Sequence, residues 1–284
     1  MPDFDIKFHR LIGDNVTREE TPNGSGPCNP RFIVMHYTAT KTADEAVRTF
    51  KSRKSKASSH LIIDLDGSVI SMQAFNRVTW HAGPSAYKGF TSLNHHSIGI
   101  EIVNTGFLRR TNDQGMYRTW SGQYLEERDF VDGIEMVQYP KAGSGDLFWP
   151  RYTHEQLATL DEIVPLLLSR YPILDIVGHE DIDTRGWKVD PGPVFPMARY
   201  KAFLDDRSSD VSDPLIPAKE RGIVTASSLN VRSGPSIHSE KISEAPKKTP
   251  VIIIGSNRDW YEVIFNKDDS PVRGWVHSDF VRRV

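Results

Sequence analysis

The chain has 284 residues, a quarter of them charged, and 35 Lys+Arg against 37 Asp+Glu leave a formal net charge of -2. That balance excludes nucleic-acid binding driven by counterion release over the whole surface, and no apolar run approaches the ~20 residues that span a bilayer. At ~150 residues per domain the length suits one sizeable core plus a small second domain, and the lone cysteine, Cys28, excludes an intrachain disulfide.

Met1–Lys7 lacks a basic segment followed by an apolar one, so no signal peptide is expected. Residues 1–30 are polar and rich in Asn, Gly and Pro, which predicts an arm with little structure of its own. Arg31-Phe32-Ile33-Val34-Met35-His36-Tyr37 is a continuous apolar run, the pattern of a buried central strand, and it delivers His36 at its carboxyl end. Thr42-Ala43-Asp44-Glu45 has the form of a capping box and predicts a helix to about Lys54.

Two apolar runs, His60–Asp64 and Ser68–Met72, flank Leu65-Asp66-Gly67, and the Asp-Gly pair predicts a hairpin. Trp80-His81-Ala82-Gly83 is expected in a loop. Ser97–Val103 alternates as a strand, with Gly99 and Glu101 opposite Ile98, Ile100 and Ile102. A carboxylate inside so apolar a strand is unusual, because burial without a partner is costly.

Residues 104–150 show no clear periodicity and are expected to form an elaborated loop or insertion, a wall of the site. Thr153-His154-Glu155-Gln156 starts a second capped helix whose apolar residues run at helical spacing towards Tyr171, with Pro165 expected to kink or divide it. The short run Asp175-Ile176-Val177 reads as a strand opening into the polar, Gly/Pro-rich stretch Gly178–Pro193. Residues 206–220 are Ser/Asp/Pro-rich and read as a linker. Beyond them, short strand-like pieces alternate with turns over residues 221–284, the pattern of a small barrel.

Three side chains stand out as metal ligands: His36 at its strand end, and His179 and Asp190 in the Gly178–Pro193 stretch. Two imidazoles and a carboxylate leave tetrahedral zinc one free position for water, the arrangement of a catalytic site. Spacing alone leaves a second reading open. Ten histidines offer many accidental triples, and a strand-end histidine is more often hydrogen-bonded structure than ligand. Glu101, desolvated on an apolar strand, is suited to move protons near neutral pH. Lys188, two residues before Asp190, is placed to stabilise an oxyanion. The competing readings are a salt-bridged glutamate and a lysine in solvent.

Phe32-Ile33-Val34-Met35-His36-Tyr37-Thr38-Ala39-Thr40, Ser58-Ser59-His60-Leu61-Ile62, Trp80-His81-Ala82-Gly83, Leu93-Asn94, Ser97-Ile98-Gly99-Ile100-Glu101 and Gly178-His179…Lys188-Val189-Asp190-Pro191-Gly192-Pro193 occur in a characteristic order. Over roughly residues 30–200 the chain resembles the zinc-dependent N-acetylmuramoyl-L-alanine amidases of the amidase_2 group, whose fold is shared with peptidoglycan recognition proteins. The resemblance implies an α/β domain over residues 1–205, with a mixed central β-sheet flanked by helices. It implies one zinc per chain on His36, His179 and Asp190, with Glu101 activating water and Lys188 stabilising the tetrahedral intermediate. Trp80, His81, Ala82 and Asn94 are expected to line the substrate groove. The implied reaction is hydrolysis of the amide between the lactyl group of N-acetylmuramic acid and L-alanine of the stem peptide. The loop Asp183-Thr184-Arg185-Gly186-Trp187 departs from the usual pattern by about one extra residue before the lysine.

The remaining part, residues 221–284, resembles bacterial SH3-like domains through Leu229-Asn230-Val231-Arg232-Ser233-Gly234-Pro235, Trp260-Tyr261-Glu262-Val263 and Gly274-Trp275-Val276. Its 10 Lys+Arg against 7 Asp+Glu favour anionic wall polymers, and wall targeting is the role the resemblance implies. The expected partners are peptidoglycan or muropeptides, the expected place is the cell envelope, and a monomer is favoured. A non-catalytic peptidoglycan receptor on the same fold is the alternative. A purely structural zinc clip would need a fourth protein ligand.

Overall fold

A computed structural model describes residues 4–210, 220–257, 259–267 and 270–283. The chain divides into two compact units, the first ending at Asp210.

The first unit does not begin with an unstructured arm. Strands β1 (Phe4–Lys7) and β2 (Arg10–Gly13) form a hairpin whose Phe4 and Leu11 enter the main core. β3 (Val16–Arg18) joins the edge of the central sheet, and β4 (Gly24–Pro27) pairs with β8 (Arg77–Thr79). β3 and β4 are short and polar outward, so pairing with partners 50 or more residues away creates them, not their own pattern.

The central sheet contains β3, β5 (Phe32–Tyr37), β6 (Leu61–Ile63), β7 (Val69–Ser71), β11 (Ser97–Ile102) and β17 (Asp175–Gly178) in the order β17-β5-β11-β6-β7-β3. β17, β5, β11 and β6 run parallel, while β6 and β7 form the expected antiparallel hairpin. A two-residue ribbon, β9 (Ala86–Tyr87) with β10 (Phe90–Thr91), lies in the connection to β11. The parallel strands are buried on both faces, which explains their near-continuous apolar sequence.

Alternation sorts the faces. Ile33, Met35, Ile98, Ile100, Ile102 and Ile176 pack with helix α2 (His154–Arg170), while Ile62 on the other face packs with Ala43, Ala46 and Phe50 of helix α1 (Ala43–Lys51). Both helices carry the predicted threonine caps: Glu45 N–H donates to Thr42 Oγ1, and Gln156 N–H donates to Thr153 Oγ1. Pro165 does not divide α2. The helix is unbroken from His154 to Arg170 because Leu160, Ile163, Val164, Leu167 and Leu168 on either side of the proline bury in one core.

Residues 104–150 are not a loop either. They form a five-stranded antiparallel sheet of β12 (Leu108–Arg110), β13 (Met116–Thr119), β14 (Tyr124–Glu126), β15 (Ile134–Met136) and β16 (Phe148–Pro150), around a small core of Leu108, Tyr117 and Leu125. Strands of three or four residues are too short to show a period in sequence. After β17 come a single helical turn, α3 (His179–Ile182), and helix α4 (Met197–Asp210). Helix α4 runs five residues into the segment read as linker, and residues 211–219 lie outside the described residues.

The second unit is one seven-stranded antiparallel sheet: β18 (Glu220–Val224), β19 (Ser228–Arg232), β20 (Lys241–Pro246), β21 (Pro250–Asn257), β22 (Trp260–Lys267), β23 (Ser270–His277) and β24 (Val281–Arg283). Its core is mostly aliphatic, from Val224 and Leu229 through Val263 to Val281, with Phe265; Trp260, Tyr261 and Trp275 are half-buried around it.

Candidate metal centre and active-site cleft

In a set of parallel strands all carboxyl ends fall on one edge, and ligand sites collect there. β11 pairs with β5 so that Glu101 sits directly beside His36 on the face opposite α2. β17 flanks β5 on the other side with Gly178 level with Met35, so His179, the next residue, arrives beside His36. Asp190 comes back to the same point through a loop whose return is fixed by Glu180 N–H donating to the Asp190 carbonyl, 3.1 Å.

Three ligand atoms thereby converge. His36 Nδ1 lies 3.1 Å from His179 Nδ1 and 2.9 Å from Asp190 Oδ2, and His179 Nδ1 lies 3.1 Å from the same oxygen. All three residues are buried, and among the described residues no other group of three His, Cys, Asp or Glu side chains converges in this way. Three lone-pair atoms packed so closely repel unless a proton or a cation lies between them. Ligands about 2.0–2.1 Å from a tetrahedral zinc stand about 3.3 Å apart, and two nitrogens with a carboxylate oxygen are a donor set zinc accepts. The residues therefore fit a zinc ion.

The electrostatics agree. Burial pushes the His36 imidazolium down to about 4, keeping the ring neutral and able to ligate at neutral pH. Burial alone would raise Asp190, but the polar contacts and charge of the His179 and His36 rings beside it outweigh burial and hold the carboxyl far below the usual range. Glu101 goes the other way: burial, then the Asp190 charge, lift it well above an ordinary glutamate, while Lys188 pulls it back in part. Its Oε2 is buried and has no hydrogen-bond partner among the described residues.

A cleft of about 430 Å³ opens over this centre and is lined by His36, Glu101, His179, Lys188 and Asp190 together with Trp80 and His81. Lys188 lines this cleft, so the loop before it leaves it at the centre. Asp183 Oδ2 accepts from the N–H groups of Trp187 (3.1 Å) and Lys188 (3.3 Å), and its Oδ1 accepts from Arg185 Nε, 2.8 Å. The stretch before Lys188 thus turns around a single carboxylate.

The expected groove residues divide. Trp80 is half-buried on the cleft wall. His81 touches the cleft but is 7% exposed, and both its ring nitrogens are engaged inside the protein. Ala82 is fully buried against Phe32 and Val34, and Asn94 spends its Oδ1 on the N–H groups of His81 and Ala82, so neither lines the cleft. Both support the loop that carries Trp80 and His81 instead. His60 is structural: its Nε2 bonds the Arg77 carbonyl.

Sequence reasoning missed three aromatic walls of the cleft, Phe107, Trp120 and Trp187. Trp120, 62% exposed, comes from the 104–150 sheet, and Trp187, 67% exposed, carries the Arg185 guanidinium 4.5 Å over its ring. Exposed tryptophans in turn-rich segments were the available signal. The connection between β15 and β16 braces the centre, since Tyr139 and Lys141 both bond Glu180, the residue after His179.

A mixed α/β sheet with a buried His-His-Asp cluster, a desolvated glutamate and a lysine in one cleft defines an α/β domain with a candidate metal site. The chain belongs to the N-acetylmuramoyl-L-alanine amidase family (amidase_2), whose profile matches residues 26–193, and a bacterial SH3 domain profile matches residues 227–282. It is 28% identical over 155 residues to the 1,6-anhydro-N-acetylmuramyl-L-alanine amidase AmpD of Citrobacter freundii, which covers 54% of this chain and 60% of that one. It is 26% identical over 175 residues to the N-acetylmuramoyl-L-alanine amidase AmiD of Escherichia coli K12, over 58% of this chain and 50% of that one. The chain thus spans only 50–60% of the length of these two relatives. A solved complex of Escherichia coli AmiD with anhydro-N-acetylmuramic acid-L-Ala-D-gamma-Glu-L-Lys aligns at 22% identity and TM-score 0.44, over 71% of this chain and 66% of that one.

Proposed function

We propose that this protein is a zinc-dependent peptidoglycan amidase that hydrolyses the bond between the lactyl carbonyl of N-acetylmuramic acid and the nitrogen of L-alanine in the stem peptide. The observation that carries the reading is the coincidence, in one cleft, of the His36/His179/Asp190 triangle with Lys188 and a buried Glu101 oxygen that has no hydrogen-bond partner among the described residues. His36, His179 and Asp190 would hold the zinc, which when bound polarises a carbonyl and brings the pKa of water to roughly 7.

Glu101 Oε2 takes the proton from the attacking water and passes it to the departing L-alanine nitrogen. This is a two-way transfer that needs a pKa near the working pH, not an ordinary carboxylate. Burial and Asp190 favour its acid form, whereas Lys188 and a cation in the triangle favour its anion. Lys188, which lines the same cleft, would stabilise the negative charge that grows on the carbonyl oxygen. The products are a free lactyl carboxylate and a stem peptide with a new amino terminus.

Residues 221–284 serve as the wall-binding part, with the cell envelope as the place of action, and each chain supplies all three ligands, so a monomer suffices. The test is mass spectrometry of products from intact sacculi and from anhydro-muropeptides, with and without chelator. Chelator-sensitive release of peptides beginning with L-alanine is expected. New reducing sugar ends without new L-alanine amines would refute the assignment.

A further inference from the structure

A histidine ligates a metal only through a nitrogen that carries no proton, so the site needs His36 in one tautomer, bare at Nδ1. What sets that tautomer is found behind the ring. His36 Nε2 faces His81 Nδ1 at 3.0 Å, His81 Nε2 faces Ser97 Oγ at 3.2 Å, and Ser97 Oγ lies 2.6 Å from the Leu93 carbonyl oxygen. The chain ends on an acceptor, and this fixes every proton in it.

A carbonyl oxygen can only accept, so the Ser97 hydroxyl hydrogen lies on the Leu93 contact. Ser97 Oγ then offers a lone pair to His81, whose neutral ring must carry its hydrogen on Nε2 and none on Nδ1. The bare His81 Nδ1 requires a donor opposite, which is His36 Nε2. His36 Nδ1, the atom in the triangle, is left bare. We infer that His81 is a positioning residue which, polarised by Ser97 and the Leu93 carbonyl, locks His36 in its metal-binding tautomer. The inference rests on the zinc reading of the triangle proposed above.

Further features of the structure serve this arrangement. Asn94 Oδ1 accepts from the backbone N–H groups of His81 (3.0 Å) and Ala82 (2.7 Å), which fixes the loop under the ring. Residue 99 is glycine where a Cβ would come within 2.6 Å of His81 Cγ, so any side chain there would displace the imidazole. The His36 and His81 rings meet edge to face, with centroids 5.1 Å apart and planes at 89°. Trp80-His81-Ala82, Leu93-Asn94 and Ser97-Ile98-Gly99, separate in sequence, meet as one device. The second imidazole ligand lacks one: His179 Nε2 is buried without a hydrogen-bond partner among the described residues.

Zinc affinity of the full chain, read by competition with a chromophoric chelator, and long-range nitrogen–proton NMR of the ring nitrogens in the zinc-loaded protein test the inference. Wild-type His81 should carry its hydrogen on Nε2 alone. His81→Leu should weaken zinc binding about 10- to 100-fold, whereas His81→Asn, whose Oδ1 can accept in place of Nδ1, should stay within about fivefold. Ser97→Ala should let His81 populate both tautomers and weaken zinc binding in proportion. A hydrogen on His81 Nδ1 in the wild type overturns the inference even if every variant misfolds. So does a folded His81→Leu protein with undiminished affinity. Failure of the wild type itself to bind zinc would instead remove the proposed function.

Discussion

Replacing Glu101 with glutamine separates proton transfer from everything else the side chain does. The amide keeps the volume and one oxygen beside His36 but cannot carry a proton between water and the leaving nitrogen. General acid–base catalysis contributes about 10²–10⁴-fold, so kcat should fall by that factor, about 3–5 kcal/mol of barrier, with zinc content unchanged. Stability should move the opposite way. Burial raises the Glu101 pKa above its ordinary 4.5, so the folded protein holds this proton at pH values where the unfolded chain has released it. A raised acid pKa gives stability that is intact below pH 4.5 and is lost as pH rises towards the folded value, at about 1.4 kcal/mol per pH unit. The glutamine variant has no such slope. Urea unfolding of both chelated proteins from pH 4 to 8 reads the difference, and steady-state kinetics of the zinc-loaded proteins read the chemistry. Full activity in the variant would remove Glu101 from the mechanism. Parallel stability curves across the range would show that the carboxyl is not desolvated as the fold implies.

Lys188→Met should lower kcat about 10²- to 10³-fold, the usual loss of one oxyanion-stabilising donor, while metal analysis still finds one zinc; retained kcat would place the lysine outside the reaction. Trp120→Ala removes an exposed wall of the cleft, so KM for muropeptide should rise about 5- to 30-fold, as for loss of ~1–2 kcal/mol of contact energy, with Tm unchanged; an unaltered KM would mean substrate does not reach that wall. Gly192→Ala forces a Cβ at φ +83° to within 2.6 Å of Trp149 Cζ3, and Trp149 is only 1% exposed. Left-handed strain and overpacking together should cost about 2–5 kcal/mol, visible as a lower urea midpoint at constant m-value; an unchanged midpoint would show that the tryptophan can yield.

Much of the frame is written locally. Phe32–Tyr37 is legible as a buried parallel strand because both its faces are covered and every residue but the last is buried. The starts of α1 and α2 are legible because a threonine cap acts on a residue three positions away. The residue types of the centre were legible too, since neutral imidazoles and a carboxylate are what zinc binds.

The rest depends on contacts no short stretch contains. Polar residues 4–27 become strands only because β1 and β2 cover the core and β3 finds the open edge at β7. Residues 104–150 become a sheet because Leu108, Tyr117 and Leu125, each alone in its strand, bury one another. His81 looked like a groove residue beside Trp80; only the fold, by setting Ser97 and His36 on its two nitrogens and glycine at 99, made it an interior group. Periodicity and caps act within about four residues and so can be read in order along the chain. The donor triangle closes over 143 and 154 residues of separation, and only the register of β17 against β5, with the return of the loop to Asp190, decides that.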